Sequence, residues 1–357
     1  MEANPKDSRA PYYLGNLLFD WQPEEAVALW EKSSALDPQF TIILRNLAEA
    51  YSHKTGDEPR AKAISYLEKA VAISNPYPTH FAELDRLYKS AGTPVEKRLA
   101  LFEKNQKIVS KNDEALGAMI NLKTFAGKTD EAISLLKSRI FSIWEGGNAF
   151  NTGQAWTDAH LVRGLKRFGI KKYSDALADF RMALTPPENL RAQQGRNARQ
   201  VQIAYWTGCA YAALGEKEKA IQSWNEVVES GSLTNKPGTG GGAGRAFGNN
   251  PGVQREQRYY ITLAQNKLGS KDNDEAVFRE LAATTTDSMS NQSGNEGDPQ
   301  FVNTMRLPSR DNLAMPHYIA GLGYAGLGNK AKAREEFNAA LALSPDYLNA
   351  KIALGQL

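Results

Sequence analysis

The chain has 357 residues, 41% of them apolar, which is enough for two compact domains or one long repeat array with a substantial core. Its 43 basic and 40 acidic residues leave a net charge of +3, too balanced to mark a nucleic-acid binder. No apolar run approaches the ~18 residues of a membrane span, the N-terminus carries no apolar signal core, and Cys209, the single cysteine, excludes an internal disulfide.

Read in order, the chain repeats one pattern. Repeat one is 12–38, with Gly15, Ala26, Trp30 and Pro38, and Pro23 opens its second helix. Repeat two, 40–75, carries Leu47, Ala48, Tyr51, Ala63, Leu67 and Ala70, with a long turn at 53–60. Repeat three is 78–111 (Leu84, Tyr88, Gly92, Leu101), and repeat four is 113–143 (Gly127, Ala132, Leu136). Repeat five is 155–184, with Gly169 in its turn followed by Ala176, Phe180 and Ala183. Repeat six, YWTGCAYAALGEKEKAIQSWNEVV at 205–228, is the fullest. There Gly208 admits a second helix, Tyr211 fills the groove, Gly215 supplies a left-handed turn residue, Ala220 marks the closest approach and Trp224 seals the hairpin.

The stretch 231–252 holds eight glycines and reads as an insertion. A divergent helical hairpin at 253–283 follows, then a polar insertion at 284–310. The last repeat, within 311–357, has Gly321, Tyr324, Gly328, Ala333, Phe337, Ala340 and Pro345, and 346–356 reads as a solvated closing helix. The expectation is an all-α fold: a right-handed superhelix, an α-solenoid of about eight hairpins with a C-terminal cap and a concave inner surface.

The spacing W-x-G-x2-Y-x3-G-x4-A-x3-W resembles the tetratricopeptide repeat (TPR) superfamily, over most of the chain. The strings YYLGNLLFD, EEAVALWEKSSALDP, RNLAEAY and WEGG resemble the C-terminal TPR half of large bacterial proteins. In those, the N-terminal half is a β-rich domain of unknown function, similar in shape to sugar-binding β-sandwiches. That resemblance implies a packing partner of β structure and a link to carbohydrate metabolism. No such domain precedes Met1 here. The chain reads as cytoplasmic as it stands, or periplasmic if a leader or N-terminal domain has been removed.

Catalytic and metal signatures are lacking. His53, His80, His160 and His317 show no ligand spacing, and neither a GxSxG elbow nor a Cys with a local His partner occurs. GTGGGAGR at 238–245 lacks the strand and the GK[ST] of a phosphate loop. No cofactor is expected, and the chain reads as a non-catalytic scaffold. TPR geometry turns fixed positions of each first helix inward: Tyr12, Asn16 and Phe19; Arg45 and Glu49; Arg86 and Lys89; Asn121; Trp156, Arg163 and Arg167; Gln202 and Tyr205. Arg191, Arg196 and Arg199 add charge in a stretch without acids. Arginine clamps carboxylates in pairs of hydrogen bonds, and aromatic faces suit side chains or sugar rings. Asn16 and Asn46 look like the asparagines of chaperone-tail TPR clamps, but Tyr12 and Thr79 stand where flanking lysines are needed, so no such clamp is expected. The lining therefore predicts a protein or peptide segment, or a β-domain, as partner, with replacement of Arg163 and Arg167 weakening binding but not folding. The alternative is a sugar site shared with another domain, using Trp144 and Glu145 of the WEGG loop, with Trp156 and Glu49.

Overall fold

A computed structural model describes residues 5–142, 150–192, 199–234, 251–270, 273–284 and 310–357. The helices are α1 (Arg9–Leu18), α2 (Pro23–Leu36), α3 (Thr41–Ser52), α4 (Asp57–Ala72), α5 (Pro78–Ser90), α6 (Val95–Lys104), α7 (Gln106–Val109), α8 (Asp113–Phe125), α9 (Thr129–Lys137), α10 (Thr152–Gly169) and α11 (Tyr173–Ala183). A 3-10 turn (Glu188–Leu190) leads to α12 (Gln200–Ala213), α13 (Lys217–Thr234), α14 (Pro251–Lys267), α15 (Asp274–Ala282), α16 (Arg310–Gly326), α17 (Lys330–Leu343) and α18 (Leu348–Leu354). No strand occurs among the described residues. They form two compact units that divide inside α8, between Met119 and Ile120. Each unit is an α-solenoid of antiparallel hairpins. The two glycine-rich and polar insertions lie almost wholly outside the described residues.

In unit 1, α1 pairs with α2, α3 with α4, and α5 with α6 and α7, while α2 packs on α3 and α4 on α5. Pro23 and Pro78 open α2 and α5, where a missing N–H has no intrahelical partner to lose. Ile43, Leu47, Leu67, Phe81 and Phe102 are completely buried between hairpins. The third hairpin is also clamped by charge: Arg98 on α6, 2% exposed, donates to both oxygens of Asp85 on α5 at 2.8 and 2.9 Å. Its second half breaks at Asn105, whose side chain donates back to the Leu101 carbonyl at 2.9 Å.

In unit 2, the pattern read at 205–228 is realised closely. A Cβ on Gly208 would lie 2.4 Å from Trp224 Nε1, and Ala220 is buried beside it. The last repeat copies this with Gly321 against Phe337, also at 2.4 Å. Repeat five departs from the expected turn. Gly169 ends α10, and Lys171 instead takes the left-handed conformation at φ 62°. Lys171 stands five residues before Ala176, as Gly215 does before Ala220. Its Cβ is strained there, so Lys171→Gly is expected to raise unit 2 stability by about 1 kcal/mol, read from the denaturant midpoint.

The closing helix corrects the sequence reading. α18 is not solvated: Ala350, Ile352 and Ala353 are all buried. Tyr347, Ala350 and Ala353 pack into the core of α16 and α17, whereas Ile352 enters the cluster built by α10, α11 and α12. A helix with apolar residues on two faces buries both, and its few polar positions gave the misleading impression of a solvated end.

Candidate partner-binding surface

In unit 1 the first helices α1, α3, α5 and the start of α8 carry a row of linked polar side chains. Asn16 on α1 accepts from Trp30 Nε1 at 3.0 Å and from the Asn46 amide of α3 at 3.3 Å. The Tyr12 ring packs on Phe40 and Tyr13, with centroids 5.0 and 5.1 Å apart. Arg45 bridges Glu49 (2.6 Å) and Glu83 on α5 (3.1 Å), and Arg86 on α5 pairs with Glu114 on α8. Arg45 and Arg86 are half-buried, and Asn16 is exposed. The Arg86–Glu114 pair is solvated on both sides and adds little stability, about 0–1 kcal/mol, whereas Arg45 is held by the buried Glu83.

Beneath the row, His80 is 5% exposed and its Nδ1 has no partner. Burial, and then the charge of Arg45, push its pKa from 6.5 down to about 4. A histidine depressed in the fold takes up its proton more readily when unfolded, so unit 1 keeps this contribution above pH 6.5 and loses it as pH falls from 6.5 toward 4. His80→Phe is expected to flatten the stability–pH curve over that window, as measured by urea melts at several pH values.

In unit 2 the inward arginines are already engaged. Asp179 on α11 is 1% exposed and accepts from His160 Nδ1–H (2.9 Å), Arg163 (2.7 Å) and Arg167 (2.8 Å). Arg163 also reaches Asp130 on α9 at 2.6 Å, so it ties three helices. Burial raises the Asp179 pKa, but the hydrogen bonds from His160 and Arg163 and the two guanidinium charges outweigh it and hold the carboxyl below its usual range. Burial likewise drives the His160 pKa down, against the pull of Asp179. Arg163 and Arg167 thus link helices through Asp179, and their removal is expected to lower folding stability as well.

Two segments of the chain match the tetratricopeptide repeat family models, residues 203–230 and residues 317–347. Those two segments are similar to tetratricopeptide repeats. These two TPR segments are α12–α13 and α16–α17, the hairpins in which Gly208 abuts Trp224 and Gly321 abuts Phe337. Among solved structures, a Naa15/Naa10 complex bound to HypK-THB aligns at 14% identity with a TM-score of 0.39, over 96% of this chain and 59% of that one. The chain thus spans about three-fifths of the length of that neighbour. The P58(IPK) TPR domain aligns at 12% identity with a TM-score of 0.28, over 98% of this chain and 99% of that one.

The other TPR positions singled out by sequence are dispersed. Asn121 is exposed on α8. Trp156 is completely buried, its ring tilted against His160 and its Nε1 donating to the Met182 carbonyl at 2.5 Å, so it lines no open face. Tyr205 is 7% exposed and packs on Trp206 and Tyr260. Trp144 and Glu145 lie outside the described residues, as does Arg196. Cys209 is half-buried, and burial pushes its thiol pKa up, in keeping with a filler. Among the described residues no group of three or more His, Cys, Asp or Glu could hold a metal ion, and no helix is long and apolar enough to cross a membrane.

Sequence reasoning missed the centre of unit 2. Arg199, at the start of α12, is 7% exposed and pairs with Asp158 on α10. It also donates to Asn349 of α18 at 2.8 Å. Glu256 on α14 accepts from Tyr318 OH at 2.7 Å, and Gln202 donates to Tyr260 OH at 2.8 Å. The absence of acids around Arg199 in sequence meant only that its partners are distant ones.

Proposed function

We propose that this TPR chain is a non-catalytic scaffold that holds an extended protein segment, or a β-domain of the same or another chain, against the first-helix row of unit 1. The supporting observation is the contrast between the units. Asn16 is exposed, Asn46 is partly accessible and Arg86 pairs with the solvated Glu114, whereas Arg163 and Arg167 share the buried Asp179 and Trp156 and Tyr205 are buried within unit 2. Successive first helices present amides, guanidinium groups and carboxylates in register, which suits the alternating donors and acceptors of an extended backbone. Charge-assisted contacts of roughly 1.5–3 kcal/mol each would have to combine to reach micromolar affinity, about 8 kcal/mol.

The alternative of a shared sugar site lacks such support, since Trp156 is buried. The scaffold reading predicts that an Asn46→Ala, Arg86→Ala double variant melts within about 1 kcal/mol of the unmodified chain yet loses the protein that the unmodified chain retains in a pull-down. Equal retention by both baits would contradict it.

A further inference from the structure

The polar residues of unit 2 that face α18 also have partners outside it. Arg199 is fixed by Asp158, Glu256 by the Tyr318 hydroxyl, and Gln202 by Tyr260. Into this prearranged frame α18 inserts one amide and one aliphatic side chain. Asn349 accepts from Arg199 Nη2 at 2.8 Å and donates to Glu256 Oε2 at 3.3 Å, bonding groups 150 and 93 residues away. Ile352, three positions on and so on the same helical face, is 7% exposed within the α10–α12 cluster, and Leu348 packs beside it. Lys351 lies over the Phe125 ring at 5.4 Å.

We infer that the first-helix face of unit 2 is a receptor site for a short helix bearing an amide and an aliphatic side chain three residues apart. The chain's own C-terminal helix is its resident, displaceable occupant. Three observations lead there. The polar groups of the receptor side also bond one another, which is the preorganisation expected of a binding site. α18 is seven residues long, too short to hold a helix alone, and it is held by Ala350 and Ala353 on the α16–α17 side and by Leu348 and Ile352 on the α10–α12 side. Its attachment through residues 344–347 supplies an effective concentration on the order of millimolar, so a modest contact suffices in cis and a better helix can compete. A partner helix of the same chemistry would release α18 and take its place. This goes beyond the reading given for unit 1, and its test reads unit 2 alone.

Two measurements on the full chain decide it. In hydrogen exchange, the amides of α18 are expected to exchange about a hundredfold faster than those of α17, since the helix leaves without unfolding the last repeat. A fluorescent peptide of residues 345–357 is expected to bind a full-length Asn349→Ala, Ile352→Ala variant about tenfold more tightly than the unmodified chain, whose own helix competes. Protection of α18 equal to that of α17 would overturn the inference, as would a folded double variant that binds the peptide no better. A double variant that fails to fold would do the same, because it would make α18 part of the core.

Discussion

Asp179→Ala is expected to lower the unfolding free energy of unit 2 by about 3–5 kcal/mol, the largest effect of any single charge removal in the chain. The carboxylate is 1% exposed and is the common acceptor for Arg163, Arg167 and His160. Removing it leaves two guanidinium groups facing each other with only Asp130 to offset Arg163, and Asp130 is mostly solvated. The Asp179 pKa is depressed in the fold, so its contribution is full above the ordinary carboxylate pKa of 3.8 and is lost as pH falls through the lower folded value. Guanidinium chloride melts of the variant and of an Arg163→Ala, Arg167→Ala double variant should both show destabilisation. A double variant as stable as the unmodified chain would restore the view of these arginines as free binding groups.

Gly208→Leu is expected to unfold its repeat, and Gly208→Ala to cost about 1–3 kcal/mol. The reason is contact rather than backbone conformation: the new Cβ would meet the Trp224 indole at 2.4 Å, where Nε1 also donates to the Tyr205 carbonyl. Gly215 makes the complementary comparison. A Cβ there meets nothing within 4 Å, and only the φ of +81° opposes it, so Gly215→Ala is expected to cost about 1–2 kcal/mol. Circular-dichroism melts that rank Gly215→Ala above Gly208→Leu in damage would mean that the hairpin is set by its turn and not by its packing.

The hairpins could be read from sequence because their determinants are local. Gly208, Gly215, Ala220 and Trp224 lie within one helical pair, and their spacing encodes both the turn and the closest approach. Lys171 escaped notice because Gly169, two residues earlier, looks like the turn glycine; counting back from Ala176 would have found it. The contacts between successive first helices of unit 1, through Asn16, Arg45 and Arg86, involve positions picked out by the same spacing. What the spacing cannot report is which inward side chains are already spoken for. Asp179 is sixteen residues from Arg163, and Asn349 is 150 from Arg199, so those pairs depend on how hairpins stack. α18 was misread for the same reason: Ile352 looks like an exposed end residue until α10–α12 are placed beside it.

The central claim is that partners bind along the first helices of unit 1. Photo-cross-linking tests it most directly, with a benzophenone side chain placed in turn at Asn16, at Arg86 and at the solvent-facing Lys62 of α4. The account predicts one and the same protein captured from Asn16 and Arg86 and absent from Lys62. Capture from Lys62 alone, or equal capture from all three, would contradict it.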